Sequence, residues 1–304
     1  MRKITEEELF VYVREQNSDV EIYGDPKVEI NGFSSLQYYK QGSITWVKGQ
    51  ANVRSGMEKL KAVVCPPDVE IESEVKLVTN HPKDIFFTAV TYLDDREETS
   101  GIAETAVLGK NVQIGARVSI GAYCCIGDNV SIGDDTKIEP HVVIYRNVKI
   151  GKQCTVKAGA VIGGQGCGYF KRDYRYHKVS HHGGVFIGDN VDIGSNTCID
   201  CGTIDDTVIE DGVKIDNLCY IAHNVTIGEN ACIMANCAIC GSAIIGREVY
   251  LAPGSVVRNQ IQLEDGAILG MGAVAVGDIS EDTVNVGIPA RAVRTRTEED
   301  WEKY

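Results

Sequence analysis

Aromatic side chains make up only 7% of the 304 residues. No apolar run approaches the roughly 18 residues of a membrane-spanning helix. The first shortage leaves a core of aliphatic side chains, and the 32 glycines that accompany it suit many tight turns. The second excludes a helical membrane span. A secretory leader is not expected either, because "MRKITEEELFVYV" places three glutamates where an apolar stretch would have to run. Positive charge is also in deficit. The net charge of −13 argues against general affinity for nucleic acid or for an anionic membrane, although a local basic patch could still hold a phosphate. Eleven cysteines without a secretory leader read as free thiols in a reducing cytoplasm.

What the chain does have is a repeat. From Ile102 to Ile162 an aliphatic residue recurs every six positions, often followed by glycine, as in "IGARVS", "IGDNVS" and "IGKQCT". The phase breaks, resumes at Ile187, Ile193 and Ile199, slips by four residues at "TIDD", and runs from Ile209 to Leu269. A helix repeats at 3.6 and an amphipathic strand at 2.0, so period six fits neither. It fits a short strand and a bend, coiled into a prism whose aliphatic side chains point inward. The 25 hexads, three to a coil, predict about eight coils, and a strand spacing of ~4.8 Å predicts a prism about 38 Å long. The fold class expected is mainly β: a parallel β-helix over residues 99–290, preceded by a small α/β domain over 1–98 and followed by a tail or short helix over 291–304. Thr5 and Glu8 look like the cap of a first helix. "AVVCPP" and "VKLVTN" read as buried strands, and "LDDREETSG" reads as the linker.

The larger break, "GGQGCGYFKRDYRYHKVSHHGGV" at 163–185, is an insertion that a solenoid must expel as a surface loop, often on its binding side. Its glycines allow close backbone approach to a ligand. Its aromatics and cations suit a sugar and a phosphate. Gly166, Gly168, Tyr169 and His182 are its candidate substrate contacts. Asp205 and Asp206, at the four-residue slip, read as turn caps. The pair in "CAIC" reads as structural. Cys124, Cys154, Cys219 and Cys237 all fall four places after the hexad aliphatic, in a slot for small residues, and no second such pair exists to complete a zinc site. A zinc hydratase would need three converging histidines, whereas the repeat itself offers only His141 and His223. No metal site is therefore expected.

His223 interrupts the regular "IDNLCYIAHNVTIGEN". Hexads of this kind resemble those of the left-handed β-helix acyltransferases. The stretch "VFIGDNVDIGSNTCIDCGTIDDTVIEDGVKIDNLCYIAHNVTIG" is similar to the UDP-3-O-acylglucosamine N-acyltransferase family of the lipid A pathway. "INGFSSLQYYKQGSITWVKG" and "LKAVVCPP" resemble that family's nucleotide-binding domain. The resemblance implies left-handed coiling, where the general crossover rule would favour the right hand. It also implies a homotrimer and acyl transfer to a nucleotide-linked amino sugar. In it His223 is the catalytic base, Asp216 tunes it, and Asn217 and Asn224 lie beside the substrate. An imidazole suits the task, since a sugar amine must lose a proton as it attacks a thioester.

Three departures bear on the substrates. Gln260 stands where that family carries a second histidine. "TWVKGQAN" keeps only the aromatic of the uracil-binding motif, as Trp46. The segment "GAVAVGDISEDTVNVGIPARAVR" is equally similar to the last coil of acetyl-CoA-dependent sugar acetyltransferases, which makes Gln260, Gly270, Gly272, Arg291 and Arg294 candidate donor contacts. The donor is thus an acyl-CoA, short-chain acetyl included, or an acyl carrier protein, and it is a co-substrate rather than a resident cofactor. A non-catalytic trimeric scaffold is the alternative from another class.

Overall fold

The computed structural model describes residues 6–17, 19–25, 27–53, 59–94, 101–298 and 300. The chain divides into two compact units, Met1–Glu98 and Thr99–Tyr304. Thr5, most of the expected linker and residues 301–304 lie outside the described residues.

In the first unit, alternation along Leu60–Cys65 decides the layering. Ala62 and Val64 point to one side of the sheet, and Leu60, Val63 and Cys65 contribute to a smaller cluster apart from it. The sheet has five strands, in the order Glu21–Gly24, Ser73–Val78, Leu60–Cys65, Ser43–Trp46, Gly32–Phe33. Only the first pair is antiparallel. Both segments read as buried strands are strands. Helices Glu6–Gln16 and Pro82–Leu93 supply Leu9, Val13, Ile85 and Ala89 to the larger cluster, with Ile44, Val75 and Leu77 from the sheet.

The second unit is the prism. Its three faces carry nine, nine and eight short parallel strands; the first face starts at Gly101–Ile102, the second at Val107–Leu108 and the third at Gln113–Ile114. Val274–Ala275 supplies one strand beyond the hexads counted in the sequence. Partners along a face are 18 residues apart, as in Ile126 opposite Leu108 and Ile144. The hexad aliphatics form the core, with Ile162, Ile193, Ile221 and Ile239 completely buried. The small slot four places on is filled by Cys124, Cys154, Cys219 and Cys237, all buried. Burial pushes the Cys124 and Cys154 thiols above their ordinary range, and all eleven cysteines are free.

Outside the interruptions, every sixth residue from Asn111 (φ 56°) to Gly272 (φ 64°) takes left-handed backbone. Asparagine and aspartate tolerate that conformation best among residues other than glycine. This accounts for their frequency at the corners.

The chain end departs from the sequence reading. Arg291–Thr295 is a strand rather than a tail or helix, antiparallel to Thr283–Val286, which itself extends the first face beyond Ile268–Leu269. The last coil would otherwise leave an unpaired strand edge, and this hairpin covers it. No described helix is long and apolar enough to cross a membrane.

Candidate active site

The corner between the second and third faces begins as a ladder of asparagines. The Asn111 amide donates to Asn129 Oδ1 at 3.1 Å, and the Asn129 amide to Asn147 Oδ1 at 3.3 Å. Both phase breaks then fall at this same corner. The insertion leaves after Val161–Gln165 and returns at Val185–Ile187; the slip lies between Cys198–Cys201 and Thr207–Ile209. Across the insertion, bonded partners lie 37 residues apart instead of 18, and across the slip 22. His223 and Asn224 (φ 59°) form the first regular turn after the breaks. Ser242 donates its N–H to the His223 carbonyl at 3.0 Å, and Gln260 donates to that of Gly241 at 3.1 Å, so the turns stack upward from His223.

The tautomer of His223 follows from Asn224. The Asn224 amide is oriented by backbone groups: Thr203 N–H donates to Oδ1 at 3.1 Å, and Nδ2 donates to the Asp205 carbonyl at 3.5 Å. The Thr203 hydroxyl also donates to Oδ1, at 2.7 Å. An oxygen therefore faces His223 Nδ1 at 3.0 Å, so Nδ1 carries the hydrogen and Nε2 keeps its lone pair. Two glycines leave room around the ring. A Cβ on Gly241 would stand 2.8 Å from Cε1 and 3.0 Å from Nε2. One on Gly166 would stand 3.0 Å from Cδ2 and 2.9 Å from Asp200 Oδ2.

Asp200, Tyr220 and His181 surround this turn. The Tyr220 hydroxyl donates to Asp200 Oδ2 at 2.6 Å. Burial raises the Asp200 carboxyl above its ordinary value, while the Tyr220 hydroxyl and the two imidazoles pull it back down. Burial and the neighbouring carboxylate push the Tyr220 phenol up. His181 is 2% exposed and meets His223 edge to face, with 5.1 Å between centroids. Its Nδ1 bonds the Val179 carbonyl at 3.1 Å, and its buried Nε2 has no hydrogen-bond partner. His181 also walls a cleft of about 620 Å³ on the second face, where Arg146 and Lys178 offer two cations to an anionic group. Among the described residues, no three His, Cys, Asp or Glu side chains converge as a metal site.

The residues singled out in the sequence separate into groups. Asn224 bonds His223, a Cβ on Gly166 would meet the His223 ring, and one on Gly168 would meet His181. His182 is exposed, so it is its neighbour that reaches the site. Tyr169 sits on a hairpin, Tyr169–Arg172 with Arg175–Lys178, where it packs edge-on against Tyr176. Asp216 and Asn217 occupy the corner between the first and second faces. There the Asp216 carboxylate accepts the Asn217 N–H at 2.7 Å, and Asn217 Oδ1 accepts that of Ser195 at 2.7 Å. The structure does not bring Asp216 to His223 within one chain. Asp206 accepts the Gly184 N–H at 2.6 Å, a bond to the neighbouring coil rather than a cap on its own turn.

The donor candidates are likewise dispersed. Gln260 is exposed two turns above Asn224, while Gly270 and Gly272 follow the last first-face strand of the prism. Arg291 bonds its neighbour's carbonyl, and Arg294 pairs with both oxygens of Asp300. Trp46, in the first unit, is half-buried, 6.4 Å from Phe86, and lines a cavity of about 500 Å³.

The chain is similar to known proteins in its repeats, in part of its sequence and in its fold. The model of bacterial transferase hexapeptide (six repeats) matches residues 129–164, 206–241 and 224–259, and that of the hexapeptide repeat of succinyl-transferase matches 107–146. A UDP-3-O-acylglucosamine N-acyltransferase of Hahella chejuensis is 41% identical over 130 residues, 43% of this chain and 37% of that protein. The enzyme of the same name from Ectopseudomonas mendocina is 47% identical over 105 residues, 34% of this chain and 30% of that protein. The matched stretch thus spans about a third of these relatives' length. Among solved structures, a UDP-N-acetylglucosamine O-acyltransferase of Moraxella catarrhalis superposes with a TM-score of 0.60 at 28% identity, over 67% of this chain and 77% of that one. The Francisella novicida UDP-N-acetylglucosamine acyltransferase gives 0.61 at 24%, over 67% and 73%. The resemblance to this enzyme group read in the sequence holds, and the second unit is a left-handed parallel β-helix.

Proposed function

We propose that the chain is an N-acyltransferase that moves an acyl group from a thioester to the amine of a UDP-linked amino sugar, with His223 as general base. The observation that carries this reading is the His223 turn. Asn224, itself fixed by backbone, holds the hydrogen on Nδ1, and two glycines leave the Nε2 side open. The names of the relatives support the amine of a UDP-3-O-acylglucosamine as acceptor. In the reaction the amine nitrogen bonds to the carbonyl carbon, and its proton passes to His223 Nε2. The carbon–sulfur bond then breaks, and the proton leaves with the thiol.

The test is turnover of UDP-linked amino sugars with acetyl-CoA, longer acyl-CoA and acyl carrier protein, read by mass spectrometry of the sugar product. An amide product from one donor class is expected. Acylation of hydroxyl groups alone would replace the reading with O-acyl transfer. The assembly we propose is a homotrimer, in which neighbouring prisms wall the exposed side of the site. Light scattering at micromolar concentration should give three times the mass of one chain; a monomer would remove the neighbour from the argument.

A further inference from the structure

We infer that Asp200, rather than Asp216, is the carboxylate that stabilises the charge on His223, with Tyr220 holding Asp200 in place. This rests on the reading of His223 as the base. The geometry comes from two neighbouring coils. Asp200 follows the inward Ile199, immediately before the chain slips, and the strand opposite it is irregular between Ile162 and Gly164. That irregularity lets the insertion cross over the carboxylate, leaving Asp200 only 9% exposed although it lies on the outer side of the prism. Gly166 marks the junction. A single carbon there would meet both Asp200 Oδ2 and the His223 ring, so no side chain can be interposed between them. Tyr220 takes the carboxylate oxygen on that side with its hydroxyl, at 2.6 Å.

A positive charge developing on His223 is then met by a carboxylate in a water-poor setting, where it counts for more than across bulk solvent. Both imidazoles pull the Asp200 carboxyl down, against the rise that burial imposes. Asp216 has no such path within the chain. It stands at another corner, with an oxygen on the Asn217 N–H. The other titratable groups facing the pair are Tyr220, His181, Cys167, Cys198, Cys201 and Cys240, and each is kept in the variants below.

Two measurements on the full chain test the assignment. In the first, the pH profile of kcat is compared for Asp200→Asn and Asp216→Asn, with KM recorded throughout. Asp200→Asn keeps the acceptor for the Tyr220 hydroxyl and removes the charge. Its acid limb should move to lower pH by about one unit, and its plateau should fall about tenfold with KM little changed. Asp216→Asn should leave the limb in place. In the second, which needs no turnover, carbon NMR follows the Asp200 carboxyl through its titration in the native chain and in His223→Gln. Loss of the imidazole should raise the Asp200 midpoint by about one pH unit. An acid limb that moves with Asp216→Asn and not with Asp200→Asn overturns the assignment. So does an Asp200 midpoint indifferent to His223→Gln. Should every acceptor and donor fail, the proposed reaction falls, and the NMR arm still decides whether Asp200 and His223 are coupled.

Discussion

Replacing His223 with alanine is expected to lower kcat by about 10²–10⁴, the usual share of a general base, while the protein stays folded. The two halves of that expectation have separate grounds. The ring stands at the outward turn position, and its one polar contact is Nδ1 to Asn224 at 3.0 Å. Removing it therefore costs about one ordinary hydrogen bond, on the order of 1 kcal/mol. The adjacent Ile221 and Val225 stay buried and keep the coil closed. Steady-state kinetics with an active acceptor and donor pair, beside a thermal unfolding curve, separates rate from stability. Full kcat in the alanine variant would dismiss His223 as the base and with it the transfer of mechanism from the resembled family.

The second large effect should come from a single methyl group. Gly241 occupies the same place in its hexad as His223 does one coil below. Its missing side chain is what the imidazole fills: a Cβ would stand 2.8, 3.0 and 3.3 Å from Cε1, Nε2 and Nδ1. The backbone itself accepts alanine, since Ala116, Ala122 and Ala235 hold the same slot elsewhere. Gly241→Ala should therefore shift the ring by several tenths of an ångström and crowd its basic nitrogen. A misplacement of about 1 Å costs about 100-fold in rate, so this smaller shift should cost about tenfold. The unfolding midpoint should barely move. A variant with native kcat would mean that proton transfer does not use the side of the ring that Gly241 leaves open.

The prism was legible because its physics is one-dimensional. An aliphatic residue every sixth position has no solution but a three-sided coil, and the corner asparagines mark the left-handed turns. His223 was legible through its motif. Its neighbours were not, for reasons particular to each. Asp200 is an outward residue of an ordinary-looking hexad. What buries it is the insertion, and a segment without periodicity carries no phase by which its residues can be placed over a given coil. The same gap hides which of His181 and His182 turns inward. Asp216 illustrates the converse. Seven residues from His223 it is close in the chain, yet a six-residue period sends it to a different corner. Arg291–Thr295 was misread because the demand for a strand there comes from the open end of the prism, not from its own residues.

The separation of bonded partners has an entropic consequence. Each coil closes on the one before it once 18 residues are available, so nearly every contact is equally local. At the insertion that span rises to 37. Loop closure grows only with the logarithm of length, and a doubling costs about 0.6 kcal/mol. Closing the longer span thus costs less than the worth of one typical hydrogen bond, and the ordering of the inserted residues is left to their own contacts. A corner of such a coil can take on a binding segment with almost no loss of conformational free energy to the coils on either side.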